Sequence, residues 1–199
     1  MLVAILLAAG RGSRLGQPKA ALDLGGRSAL QRCVDALRRG GFEEVRAVVD
    51  ARHHIPPATG AVMLDNPDAD RGQTSSLRRA LADGLGDATG FGVHTVDRPL
   101  VRARDVAALL AAFGSRPAGA AIVAPSVDGR RGHPALFEAA LAAEFLALGD
   151  DEPAHRVLRR DPARVHHLAC DDPWLVRDID TPDDLAAARE ALAGRAAED

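Results

Sequence analysis

Cysteine, aromatic residues and net charge are all scarce in this chain, and each scarcity removes a class of function. Cys33 and Cys170 are the only cysteines in 199 residues, so there is no disulfide framework and no thiolate metal site of the usual spacing. A reducing cytoplasm is the expected setting. Tyrosine is absent and aromatics make up 3% of the residues, which argues against stacking platforms for single-stranded nucleic acid. The formal net charge of -3 gives no general pull toward nucleic acid or an anionic membrane, so any anion site must be local. Long hydrophobic runs are missing too. Leu2 to Ala9 is too short to span a bilayer and no basic segment precedes it, so it reads as a buried parallel strand rather than a signal peptide.

What is present is an apolar strand that empties into a glycine-rich turn carrying three cations, Leu7-Ala8-Ala9-Gly10-Arg11-Gly12-Ser13-Arg14-Leu15-Gly16-Gln17-Pro18-Lys19. Gly10, Gly12 and Gly16 are free to take positive φ and put no Cβ in the way, so successive N–H groups can converge on phosphate oxygens. Arg11, Arg14 and Lys19 add charge where the anion would sit. A dinucleotide fingerprint is excluded because Leu15 stands where its third glycine belongs, and Pro18 would cost roughly 3 kcal/mol inside its helix. A Walker loop is excluded because Gln17 follows Gly16. The plainer alternative is a strand-to-helix turn with solvated arginines. The turn is expected to be exposed, so Lys19→Ala should leave the fold largely untouched.

Strand-like and helical runs alternate along the chain, the pattern of an α/β fold with a mostly parallel central sheet and helices on both faces. No repeat or long linker interrupts it, and residues 1–199 fit one domain. The spacing predicts a helix capped by Ser28 and Gln31, strands at 45–50, 91–96 and 120–124, a short apolar run at 61–64 and a further run at 133–137, helices at 75–85 and 104–113, and a strand from Trp174 to Ile179. Gly149 to Pro162 is expected to be a lid or short helix, and the Ala-rich end a helix fraying into a tail.

The acidic candidates fall on the predicted carboxyl rim of the sheet. Asp97 follows an apolar strand directly, and open α/β sheets bind ligands along that rim. Asp178 and Asp180, two apart on the last predicted strand, would point to one side. Carboxylates from two strands could hold Mg²⁺, a hard cation that bridges protein carboxylates to substrate phosphates; the plainer reading is that Asp97 caps a turn and Asp180 precedes a helix. Gly72-Gln73-Thr74-Ser75-Ser76 could read a base edge or simply cap a helix. The pairs His53-His54 and His166-His167 would face opposite ways on a strand, and His133 is placed either for acceptor binding or for structure.

With Gly72 to Leu77, Asp97-Arg98-Pro99, Gly132-His133-Pro134-Ala135-Leu136-Phe137 and Asp178 to Leu185, the cationic turn makes the chain resemble the MobA-like nucleotidyltransferases of molybdenum-cofactor maturation, most of all the molybdenum cofactor cytidylyltransferases. The resemblance runs from Leu6 to about Ala188. It implies a Rossmann-like, three-layer, GT-A-like fold and transfer of a nucleoside monophosphate from a nucleoside triphosphate to a phosphate of a molybdopterin-type acceptor, with release of pyrophosphate. It further implies that Gly10, Gly12, Ser13, Arg14 and Lys19 hold the triphosphate, that backbone at Ala8 and Ala9 together with Ser76 reads the base, that Asp97 and Asp180 bind Mg²⁺, and that His133 serves the acceptor. Arg14, Lys19 and Asp97 are then the catalytic set, and a molybdoenzyme is a possible recipient of the product. Leu-Ala-Ala-Gly is the variant associated with CTP, so Ala9 favours CTP over GTP. Two positions depart from the family pattern: Arg98 replaces a small or apolar residue, and Asp151 to His155 stand where Gly-Ala-Arg is usual. The alternatives are a transferase for a sugar phosphate or other small phosphate, and a cofactor-binding chaperone without turnover.

Overall fold

The computed structural model describes residues 1–149 and 152–196. Its centre is an eight-stranded sheet made of β1 (Leu2–Leu7), β2 (Glu44–Val49), β3 (Val62–Asp65), β4 (Gly90–Thr95), β5 (Ile122–Val127), β6 (Arg130–Arg131), β7 (Ala135–Glu138) and β8 (Val165–Ala169), in the order β3-β2-β1-β4-β7-β5-β6 with β8 beside β5. Pairing is parallel from β3 to β4 and between β5 and β8. Through β7 it is antiparallel.

Alternation along β1 shows why the sheet is covered twice. Ala4, Leu6 and Ala8 enter one apolar cluster with α1 (Ala29–Arg39), α3 (Ala103–Gly114) and Ala188 of α6 (Pro182–Ala196). Ile5 and Leu7 enter the other, with α2 (Gln73–Ala82), α4 (Ala142–Leu146) and α5 (His155–Arg160). In the second cluster Phe91 stacks on Phe137 at 5.3 Å and Phe145 meets both edge-on. On the first, α1 and α3 approach so closely that a Cβ at Gly40 would lie 2.4 Å from Val106. Ser28 caps α1 by accepting from the Gln31 N–H at 3.1 Å, but the Gln31 side chain bonds Asp35 and the Thr59 carbonyl, so only half of a capping box forms.

The predicted strand from Trp174 to Ile179 is not formed. Asp172 accepts from the Trp174 N–H and Pro173 opens a single helical turn, Pro173–Leu175, which takes that stretch out of the sheet. Asp178 and Asp180 therefore do not share a strand face. The ladder position beside β5 is taken by β8, half-exposed and carrying the His166-His167 pair, which gave no apolar run to read. The β5–β6 hairpin closes on Asp128 and Gly129, both at positive φ. Beyond Gly149, the expected lid or short helix is helical over α5; positions 150–151 lie outside the described residues, as does the expected fraying at 197–199.

Candidate functional site

Strand β1 sends its neighbours out on opposite sides, β2 on one and β4 on the other, so its carboxyl end opens at a topological switch point. The glycine turn leaves the sheet there, and Asp97 leaves from the end of β4. Ala8 is still part of the sheet, its N–H donated to the Val48 carbonyl at 2.8 Å. From Ala9 to Gly12, no N–H donates to a protein acceptor among the described residues. Such a run of unspent amides is the raw material of an anion cradle.

Gly12 is held in the left-handed region at φ +61, and a Cβ there would lie 2.1 Å from the Gln17 carbonyl oxygen. Gly16 is also left-handed, whereas Gly10 is not, and a Cβ on Gly10 meets nothing within 4 Å. The substitutions should therefore separate. Gly12→Ala is expected to cost about 1–3 kcal/mol of stability in denaturant unfolding and to weaken nucleotide binding. Gly10→Ala should leave stability unchanged, so any loss of nucleotide binding it causes reflects contact with the ligand.

Lys19 is drawn into the fold rather than left exposed. Its ammonium donates to Asp97 Oδ2 at 3.3 Å and to Asp180 Oδ1, with only 15% of the side chain exposed. Burial lowers its pKa, but the two carboxylates outweigh burial and leave it above the ordinary value. Burial pushes the Asp97 carboxyl up, while the Thr95 hydroxyl, Lys19 and Arg98 outweigh this and hold it below the carboxylate range. Asp97 Oδ1 is buried without a hydrogen-bond partner. Arg14 is open to water, 3.8 Å from Asp180.

Other predicted residues settle differently. Arg11 pairs with Asp70, which also meets Arg52 at 3.0 Å, and Arg52 in turn holds the buried Asp50 at 2.7 Å. Arg11 is thus spent on tying the turn to the β2 side of the cleft. Ser76 is buried and accepts from Asn66 Nδ2 at 3.0 Å. Asp178 faces Arg98 at 2.6 Å rather than joining Asp180.

These groups line one continuous trough. A recess of about 440 Å³ is walled by the turn, Lys19, Asp70 and Asp180. It runs through Gly10 and Lys19 into a narrower one bounded by Ser76 and Asp97. Beyond Gly72 and Thr95 the trough widens to about 700 Å³, where His133 lies with Arg98 and an apolar floor. His133 donates from Nδ1 to the Val93 carbonyl at 3.0 Å, and burial, then Arg98, lowers its pKa to about 4. The imidazole is neutral at neutral pH.

His94, missed as a site neighbour by the sequence reading, is wholly buried, its ring 6.4 Å from that of His133. Burial first, then the His133 and Arg98 charges, lowers its pKa from 6.5 to about 3. Below pH 6.5 the unfolded chain takes up a proton that folded His94 refuses, so stability falls progressively from pH 6.5 toward pH 3. His94→Gln keeps a donor for the Arg98 carbonyl and should reduce the slope of melting temperature against pH across that window, leaving the share that His133 contributes.

Comparison with known proteins adds three findings. The family model for the MobA-like NTP transferase domain matches residues 4–168. The chain is 31% identical to nicotine blue oxidoreductase of Paenarthrobacter nicotinovorans, over 91% of this chain and 93% of that one, and 33% identical to phosphoenolpyruvate guanylyltransferase of Rubrobacter xylanophilus, over 89% and 86%. The crystal structure of Rv0371c from Mycobacterium tuberculosis superposes with a TM-score of 0.80 at 25% identity, covering 95% of this chain and 97% of that one. Among the described residues no helix is long and apolar enough to cross a membrane, and no group of three or more His, Cys, Asp or Glu gathers as a metal site.

Proposed function

Since the chain belongs to the MobA-like NTP transferase family, we propose that it transfers a nucleoside monophosphate from a nucleoside triphosphate to the phosphate of an acceptor, using the trough between the glycine turn and His133. The observation that carries this reading is the convergence of unspent turn amides, Lys19, Asp97 and Asp180 on one rim. A phosphate oxygen of the acceptor attacks the α-phosphorus. The bond from the α-phosphorus to the bridging oxygen breaks, and pyrophosphate leaves with that electron pair. No general base is needed, because a phosphate monoester is already ionised at neutral pH. The protein contributes position and charge: the amides of Gly10 to Gly12, with Ser13, hold the triphosphate, Ala8, Ala9 and Ser76 border the base, and Arg14 and Lys19 take the charge that builds on the leaving pyrophosphate.

Asp97 and Asp180 fit a divalent cation. They already gather around one ammonium, and Asp97 keeps a buried oxygen with no donor. Two protein carboxylates, the rest of the shell being phosphate and water, is a donor set that suits Mg²⁺. Bound there, the ion supplies neutralisation of the triphosphate and polarisation of the α-phosphate.

For the finer assignment we take CTP as the favoured nucleotide, from Ala9, and a molybdopterin-type phosphate as the acceptor, with a molybdoenzyme as possible recipient. Pyrophosphate release across four nucleoside triphosphates, with molybdopterin or phosphoenolpyruvate as acceptor, tests class and choice together. Release dependent on both substrates supports transfer; none with any pairing contradicts it. The likeness to nicotine blue oxidoreductase supports a second reading, a redox reaction in the same trough. Oxidation of NADH or NADPH by an electron acceptor, without pyrophosphate release, would select that reading.

A further inference from the structure

The residue after Asp97 is a charged group, ion-paired with Asp178, whose buried donors complete no hydrogen bond. The side chain of Arg98 is 14% exposed. Nε and Nη1 are buried and neither has a hydrogen-bond partner. Asp178 Oδ1 comes within 2.6 Å of Nε, yet neither atom completes a hydrogen bond, so the contact holds the charge without satisfying the donors. A guanidinium has five N–H groups in a planar fork, and burying them unmade is costly.

Arg98 borders the wide end of the trough, where Val93, Ala135, Phe137 and Phe145 form an apolar floor. Glu152 is the one carboxylate lining that space among the described residues, and it is bonded to Arg156 and the Gly149 N–H. Charge there therefore favours an anion, and the floor favours a flat apolar body.

We infer that Arg98 is an acceptor-binding residue that grips the phosphate of a phosphomonoester whose flat, apolar body lies over the Val93–Phe137 floor. The inference rests on the transfer reading for its role: Arg98 adjoins Asp97 in the chain, so a phosphate on its Nη side stands beside the carboxylate assigned to the metal, where an attacking group belongs. Arginine meets phosphate through two parallel N–H bonds, a fit that lysine cannot reproduce.

Phenyl phosphate is a suitable probe, with phenol as the control that keeps the ring and lacks the anion. Binding is measured by calorimetric titration to wild type, Arg98→Gln and Arg98→Lys, with melting temperatures for all three and separate titrations of the four nucleoside triphosphates, CTP among them, with Mg²⁺. The expected result is phenyl phosphate affinity lowered about 10- to 100-fold in Arg98→Gln, the scale of charge-assisted hydrogen bonds, and lowered less in Arg98→Lys, with phenol and CTP unaffected. Should Arg98→Gln fail to fold, Arg98→Lys carries the test through its own loss. Equal affinity of the wild type and a folded variant, or no binding to wild type, overturns the inference. Arg98-dependent binding of phenyl phosphate in a protein that binds none of the four nucleoside triphosphates with Mg²⁺ would uphold the anion subsite while overturning nucleotidyl transfer.

Discussion

Asp97→Asn is expected to lower metal-dependent pyrophosphate release by about 10²- to 10³-fold, the scale observed when one pre-organised charge contact of a transition state is removed. Asn keeps the volume and an oxygen but removes the negative charge that a divalent cation requires. The fold should survive. Asp97 Oδ1 has no partner to lose, Lys19 retains Asp180, and the cost to stability should stay within about 1–2 kcal/mol. Steady-state rates against Mg²⁺ concentration, with unfolding curves alongside, separate the two effects. An unchanged rate with the same metal requirement would remove Asp97 from the site.

Lys19→Ala should also lower turnover by about 10²-fold or more, but through a different balance, and its effect on the fold is not the one expected from an exposed turn. The ammonium lies between two carboxylates that would otherwise repel each other, and Asp97 is largely shielded from water. Removing it should cost of order 2–3 kcal/mol, below the price of breaking a wholly buried pair because Asp180 is more open. A divalent cation can then take the vacated position. Mg²⁺ without nucleotide should therefore raise the melting temperature of Lys19→Ala more than that of wild type, by ordinary linkage of binding to stability. Equal shifts would mean that the carboxylates do not form a cation site.

Local chemistry made the nucleotide end of the trough readable from sequence. An apolar β1, glycines at a turn and an aspartate after β4 are each dictated by neighbours in the chain. The partners of those groups were not readable, because they arise between elements far apart. Asp70 claims Arg11 across 59 residues, and Asp178 turns to Arg98 once Pro173 has broken the expected strand. Sequence did hold one unused signal. Lys19 is the only lysine beside 24 arginines, a choice that singles out a place where a compact point charge, rather than a planar fork, is wanted between two carboxylates. The wide end stayed illegible for another reason: its floor comes from β4, β7 and α4, whose apolar residues look like any core until the antiparallel β7 sets them beside an open space.

A crystal structure with CTP and Mg²⁺ bound tests the central claim most directly. The account predicts the triphosphate on the Gly10 to Gly12 amides, the ion between Asp97 and Asp180, and the Lys19 ammonium moved from the carboxylates onto phosphate oxygen. A triphosphate seated away from the turn, with Lys19 still held by both carboxylates, would contradict it.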